Sequence, residues 1–315
     1  MPATAQPSLG PIVVATVPVP DLDEATHWYT QWLGYEVWDE GVVSAALAEA
    51  WLAPLSAEGR YRLVSPGRER PGGVRLVERD RKVTVSPLRA AGWRSLELVV
   101  SDTYAVREQL EGSPFLVVGE PMPLETNPSI VAMQAVGPGR EMLYLTRTSN
   151  DTVFDLPTAS RLVDRMFIAV LSARDIDGSQ EFYRSQFGAV GHLSATPVPL
   201  EAVNRELGFP LGRAHQISAL QLAGSSLVEI DQHPEELLAE DHPDRDLPGG
   251  LAMVSFEHDV LKSLGPLLQG VPTVREEAPY LGRRAGLVVG PDGERIEVIE
   301  RHAPTRDEPQ KKGEK

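Results

Sequence analysis

Gly290-Pro291-Asp292-Gly293-Glu294-Arg295-Ile296-Glu297-Val298-Ile299-Glu300 decides how this chain reads. The Pro-Asp-Gly turn leads into a run in which Ile296 and Val298 take one face and Arg295, Glu297 and Ile299 the other. That is the pattern of a hairpin turn followed by a half-buried strand. Glu297 stands out within it. A carboxylate midway along such a strand faces water or is held inside by a proton, a cation or hydrogen bonds.

The same pattern occurs earlier, in Pro138-Gly139-Arg140-Glu141-Met142-Leu143-Tyr144-Leu145, which lies 154 residues upstream when Gly139 is set against Gly293. That offset also carries Asp21 onto Asp175, Tyr29 onto Tyr183, Gly34 onto Gly188 and Val74-Arg75-Leu76-Val77 onto Val228-Glu229-Ile230-Asp231. Several matches at one offset indicate a duplication, with one half at 10–148 and another at 160–303. At this offset Glu297 falls on Leu143 and Glu229 on Arg75. Only the second half holds both mid-strand glutamates, so the chemistry is expected there.

Length and composition agree with two domains. The 315 residues, 42% hydrophobic and 24% charged, are ordinary for a globular chain of two cores. A formal net charge of -15 leaves no basic stripe to displace counterions from a phosphate backbone, which excludes nucleic acid as an expected partner. The lack of cysteine removes disulfides, thiolate nucleophiles and Cys-ligated metal sites. Neither a leader pattern nor a long apolar run is visible, so a cytoplasmic protein without membrane contact is expected.

Taken in order, Ile12 to Val19 reads as a strand. Asp21 caps a helix with Trp28, Tyr29 and Trp32 on its apolar face, and Gly34 closes it. Strands follow from Tyr35 to Trp38, Tyr61 to Val64 and Val74 to Val77, with a short inserted helix at Ala45 to Ala53. A second unit runs from a strand at Leu96 to Val100 through a helix at Tyr104 to Leu110 to three more strands. A polar linker spans 146 to 157. The second half repeats the plan. Phe167 to Leu171 is a strand, Asp175 caps a helix ending at Gly188, and Leu200 to Leu207 mirrors the inserted helix. Strands follow at Gln216 to Leu222 and Leu227 to Asp231. The fourth unit has a strand at Leu251 to Phe256, a helix at Val260 to Leu268 and the closing hairpin. The charged tail, 304–315, is expected to be disordered.

Four βαβββ units, each half opening on Asp-Leu/Ile-Asp before a helix that carries Trp-Tyr or Phe-Tyr, and the closing Pro-Asp-Gly-Glu-Arg-Ile-Glu-Val-Ile-Glu run resemble the vicinal oxygen chelate superfamily. This group holds glyoxalases, extradiol dioxygenases, epimerases and bleomycin-resistance proteins. The resemblance implies an α+β fold of four βαβββ modules forming two pseudo-symmetric, glyoxalase-like curled-sheet domains. It also implies a cleft with one divalent metal, bound by His or Gln in a first strand and Glu in a last strand. Glu229 and Glu297 match the last-strand positions. The first-strand positions fall on Ile168 and about Met253, which are not ligands for such metals, and His258 falls on the opposite face of its strand from Met253. No cofactor is therefore expected, and if a divalent metal binds, Glu229 and Glu297 hold it.

If the third and fourth units share a cleft, Glu229 and Glu297 face each other there and act as acid and base. Strand alternation alone leaves both residues equally open to pairing with arginine or facing solvent. His215, Glu257, Tyr280, Arg284, Ile168 and Met253 are the expected substrate-binding set, with Tyr280, Arg283 and Arg284 anchoring an anionic group. The expected activity is proton transfer on a small aromatic or carbonyl compound, of isomerase, epimerase or lyase type, without the usual His-ligated metal. Two alternatives stand beside it: a non-catalytic small-molecule-binding protein of the resistance type, and a metal-dependent dioxygenase-like enzyme with altered ligands. The expected partner is a small organic molecule, and a homodimer is compatible with the sequence.

Overall fold

The computed structural model describes residues 7–67, 70–79, 86–124, 127–149, 153–191, 196–235 and 245–301. The expected tail lies outside the described residues. Module 1 comprises β1 (Leu9–Val19), α1 (Leu22–Trp32), β2 (Glu36–Val42), α2 (Ala45–Ala50), β3 (Arg60–Ser65) and β4 (Gly73–Glu78). Module 2 comprises β5 (Gly92–Val100), α3 (Thr103–Gln109), β6 (Leu116–Pro123), β7 (Val131–Val136) and β8 (Met142–Arg147). Module 3 comprises β9 (Val163–Ala173), α4 (Ile176–Phe187), β10 (Val190–Gly191), β11 (Thr196–Pro199), α5 (Glu201–Leu207), β12 (Ala214–Leu222) and β13 (Ser226–Gln232). Module 4 comprises β14 (Met253–His258), β15 (Thr273–Arg275), β16 (Arg283–Val289) and β17 (Arg295–Glu300).

The capping chemistry read from the sequence forms the helices. The Asp21 carboxylate accepts from Glu24 N at 2.9 Å, and Asp175 accepts from Gly178 N at 3.1 Å, each satisfying a backbone donor that the first helical turn leaves open. Gly188 closes α4 at φ 66°, a left-handed position that a side chain would strain. The helix expected in module 4 does not form. Leu261–Leu267 is a pair of tight 3₁₀ turns, because Gly265 adopts φ 47°, ψ -119° and Pro266 has no N–H to continue a ladder.

The strands form two sheets, and these do not follow the halves of the sequence. The eight-stranded sheet has the order β15-β16-β17-β14-β1-β4-β3-β2, so module 4 continues module 1. The nine-stranded sheet has the order β10-β12-β13-β9-β5-β8-β7-β6, with β11 also paired to β12, so module 3 continues module 2. The joins are antiparallel. Thr16 lies opposite Met253 where β1 meets β14, and Glu97 lies opposite Ile168 where β5 meets β9. Modules 3 and 4 therefore share no sheet, contrary to the expectation that put Glu229 and Glu297 in one cleft.

Alternation along each strand separates two faces. One face of both sheets feeds the main apolar core, with Leu96, Leu98, Leu143, Val228, Ile230, Val254, Phe256, Ile296 and Val298. Burial of this kind stabilises by roughly 25 cal/mol per Å² of apolar surface removed from water. The other face of each sheet forms its own hollow, and Arg75, Glu297, Glu97 and Glu229 lie on those faces.

Two buried tyrosines tie the sheets together. Tyr29 of α1 donates to Glu141 Oε1 at 2.7 Å, and Tyr183 of α4 donates to Glu294 Oε1 at 3.1 Å. Each glutamate sits in the hairpin before the last strand of the next module, so a helix of one sheet holds a turn of the other. Both hairpins repeat the same backbone bonds: Gly137 N to Glu141 O and Gly290 N to Glu294 O, both 2.9 Å. The second carboxylate oxygen accepts from Gly139 N and Asp292 N respectively. In each hairpin the residue before the glutamate, Arg140 or Gly293, has positive φ. Glu141 thus corresponds to Glu294, an offset of 153 residues by subtraction. Glu297 therefore corresponds to Tyr144 and not to Leu143.

Candidate functional site

Four adjacent strands supply the floor of each hollow. In the sheet of modules 1 and 4, the register pairs Thr16 with Arg75 and Ser255 with Glu297, all four buried. In the sheet of modules 2 and 3, the corresponding pairs are Val170 with Glu229 and Glu97 with Tyr144. The two hollows share a scaffold and differ in chemistry.

The hollow of modules 1 and 4 is filled by the protein itself. Glu297 accepts from Trp51 Nε1 at 2.8 Å, from Tyr280 Oη at 2.6 Å and from Ser255 Oγ, and Arg75 Nη2 stands 3.4 Å from its other oxygen. The Arg75 guanidinium lies 4.8 Å from the Trp51 ring centroid and 5.4 Å from that of Tyr280, with a cation over each aromatic face. Burial works against the charge of Arg75, yet its anionic and phenolic neighbours raise its pKa further. Trp51 ends the inserted helix α2, and Tyr280 sits in the turn before β16; together with Met253, Leu287 and Ile299 they close the space. Tyr280, expected to anchor a substrate, instead meets Glu297 in a closed ion-pair centre.

The hollow of modules 2 and 3 gathers three carboxylates and one guanidinium. Glu97 comes from β5, and Glu229 and Asp231 come from β13, two strands away and on the same face, or about 10 Å between strand axes. Arg94 Nη1 donates to Asp231 Oδ2 at 2.8 Å, with both side chains buried. Burial raises Glu97 to about 7, and the Asp231 charge adds to the rise. Glu229 is pushed well above the ordinary carboxylate range by burial, then by Asp231 and Glu97. Asp231 is raised by burial and partly brought back by Arg94. Glu229 and Tyr144 keep some contact with solvent. Apolar walls come from Ile168, Val170 and Leu227, and α5 packs near Tyr144 through Val203 and Leu207.

The remaining sequence candidates are dispersed. Ile168 lines the floor between Glu97 and Glu229. His215 is buried on β12, where its Nε2 bonds Asn204 Oδ1 at 2.7 Å and so ties α5 to the sheet. Met253 is fully buried in the filled hollow. Glu257 bonds Arg283 at 2.7 Å and Arg301 at 3.3 Å, and Arg284 pairs with Glu300 at 3.1 Å. Arg284 alternates away from Ala285 and Leu287, which face the filled hollow, and so does not join Tyr280 there. His258, on the opposite face from Met253, packs against Phe187 in the main core. Sequence reasoning missed Glu97, Arg94 and Tyr144. Glu97 had a visible signal: it interrupts Leu96 and Leu98 as Glu297 interrupts Ile296 and Val298.

The divalent metal that the resemblance implies does not fit these residues. In the filled hollow a guanidinium faces the last-strand carboxylate, and the first-strand positions are Thr16 and Ser255. In the other hollow Asp231 is bound by Arg94. Among the described residues no group of three His, Asp or Glu side chains is placed to hold an ion. Among them also no helix is long and apolar enough to cross a membrane.

Comparison with known proteins supports the fold. Neither a family model nor a curated protein matches the chain. Among solved structures, a point variant of glyoxalase I from Zea mays superposes with a TM-score of 0.63 at 17% identity, covering 93% of this chain and 94% of that one. Unaltered glyoxalase I from Zea mays gives 0.59 at 17% identity over 92% of each chain. A candidate dioxygenase from Bacillus subtilis gives 0.61 at 13% identity, over 94% of this chain and 86% of that one. The chain therefore has a two-sheet, glyoxalase-like fold, as its sequence motifs led one to expect. At these identities the likeness concerns architecture, and activity has to be argued from the site.

Proposed function

We propose that the protein moves a proton on a small, largely apolar carbonyl compound held in the hollow of modules 2 and 3, with Glu97 as base and Glu229 as acid. One observation carries this reading: two carboxyl groups from separate strands face one hollow, where Glu229 keeps contact with solvent, and among the described residues neither is paired with a cation of its own. With its proton affinity near neutrality, Glu97 is partly ionised when Glu229 is still protonated, which is the division of labour an acid–base pair requires.

The Glu97 carboxylate takes the proton from the carbon next to the carbonyl. That C–H electron pair becomes a C=C bond, and the carbonyl π pair moves to oxygen. In a substrate with a C=C bond beyond that carbon, the oxygen pair re-forms the carbonyl, the enolate C=C pair shifts one bond outward, and the former C=C pair takes the proton of Glu229 at its far carbon, which completes an isomerisation. Solvent contact at Glu229 lets the two groups return to their starting states. The apolar walls keep the carboxylates poorly hydrated, which raises their basicity.

Aryl ketones and enones that raise the melting temperature of the full-length protein would be incubated with it in D2O and followed by NMR. Deuterium should appear next to the carbonyl, and Glu97→Gln should slow its uptake by about a hundredfold or more with affinity retained. Compounds that bind but exchange no faster than in buffer would instead establish a non-catalytic binding protein.

A further inference from the structure

We propose that Arg94 receives the carbonyl oxygen of the molecule held between Glu97 and Glu229, and so fixes the substrate class as one with an oxygen on the carbon beside the reacting C–H. This rests on the preceding reading of the hollow. Arg94 lies at an irregularity in the pairing of β5 with β9, between Trp93, opposite Leu171, and Ser95, opposite Val170. An extra residue at such a point re-aims its side chain, here toward Asp231 on the hollow's face.

The guanidinium uses only part of its capacity there. Nη1 is taken by Asp231, while Nε and Nη2 have no partner among the described residues, in a side chain that is 0% exposed. Asp231 Oδ1 is also unpartnered. Unpaired donors in a buried site are costly, and few are kept without a use. Arg75 in the other hollow also leaves one nitrogen unpaired, but two aromatic rings cover it. Among the described residues no ring covers Arg94.

The fold itself does not need a cation at this place. By register Ser95 corresponds to Met253, since each precedes by two the first-strand residue paired with Tyr144 or Glu297, while Arg94 is the extra residue of the bulge and has no counterpart beside Met253, where the pairing with β1 runs without a shift. The other sheet forms its hollow without such a residue. Asp231 holds the guanidinium in place on the sheet face that also carries Glu229 and Glu97. An oxygen set against Nε and Nη2 gains negative charge as Glu97 withdraws the neighbouring proton. Fixed donors aimed at that oxygen bind the enolate more strongly than the ketone.

The test uses 4-nitrophenol as an enolate mimic, since its visible absorbance reports its ionisation. Bound to the wild-type protein it should ionise at least one pH unit below the free phenol. With Arg94→Gln that shift should disappear, and with Arg94→Lys it should be reduced, because the charge remains and the fork is lost. Deuterium uptake should fall in kcat by about tenfold to a hundredfold in both variants with KM changed only a few-fold. Thermal melts show whether each variant folds, and the Lys variant alone suffices if the Gln variant does not. An unchanged phenol ionisation and exchange rate in a folded variant, with Glu97→Gln still inactive, would overturn the role of Arg94 alone. If wild-type protein shows neither phenol binding nor exchange, the reading of the hollow fails, and the role of Arg94 fails with it.

Discussion

Glu297 and Tyr144 occupy the same place on opposite sheets: Glu297 pairs in register with Ser255 across β14 and β17, and Tyr144 with Glu97 across β5 and β8. Around Glu297 the protein supplies its own cation and its own aromatic rings. Around Tyr144 it leaves Glu97 and Glu229 with no such partners among the described residues, so a ligand is expected beside Tyr144 and internal cohesion beside Glu297.

The Arg75–Glu297 pair should behave as a buried structural centre. Arg75→Met or Glu297→Gln should each cost about 3 to 5 kcal/mol in urea unfolding, because each leaves groups uncompensated inside. The double variant should cost less than the sum by about 1 kcal/mol or more. Strict additivity would show that the two groups do not act on each other. Ligand binding in the other hollow should persist in whichever variants remain folded.

Proton transfer should follow a bell with pH. The rising limb is set by Glu97, which must lose its proton, and its midpoint should lie near about 7. The falling limb lies higher, where Glu229 gives up its proton. Glu97→Asp should move the rising limb, and Glu229→Gln should remove the falling one. A flat deuterium-exchange profile between pH 5 and about 9 would contradict the assignment, since a carboxyl titrating in that window is its basis.

Stability should fall as pH rises through neutrality. Burial lifts Glu141 to about 7 and Glu294 to about 8, from an ordinary value of 4.5. A raised carboxyl binds its proton more tightly in the folded chain. Its contribution is therefore complete below about 4.5 and lost as pH climbs to the folded value. Each group should add a slope of up to about 1.4 kcal/mol per pH unit within its window. Glu141→Gln and Glu294→Gln should flatten the curve of unfolding free energy against pH, and a curve as steep as wild type in both would refute this.

Gly139→Ala should be far more damaging than a hairpin substitution usually is. A Cβ there would come within 2.4 Å of Val17 Cγ1 and 2.6 Å of Pro18 O, on the first strand of the other sheet. Relief requires the two sheets to move apart, so a loss of several kcal/mol is expected. A melting temperature within a few degrees of wild type would show that the sheets yield easily at this point.

Apart from the helix expected in module 4, the order of elements was legible because it depends on local chemistry: Asp21 and Asp175 cap helices, and alternating strands follow. The inward direction of Glu229 and Glu297 was expected from the resemblance, since alternation alone left each open to an arginine or to solvent, and Glu297 does meet an arginine. Which modules share a sheet was not, because edge-to-edge pairing is decided by long-range packing and adjacent modules have no prior claim on one another. The Leu143 assignment failed for a smaller reason. Aligning glycine to glycine hid the match of Gly137-Pro138 to Gly290-Pro291, and a one-residue slip exchanges the two faces of a strand. Glu97 and Arg94 went unnoticed because attention rested on the second half, whereas the open hollow draws on both.

The joining of β1 to β14 means that a polypeptide's opening strand waits for nearly its last. The inner modules can complete their sheet while the outer pair is still unfinished, with the edge of β1 bare until Met253 to Glu300 has been synthesised. Truncation before that point would therefore leave an unmatched strand edge open to other chains, and premature termination should yield aggregates in place of a working half-molecule.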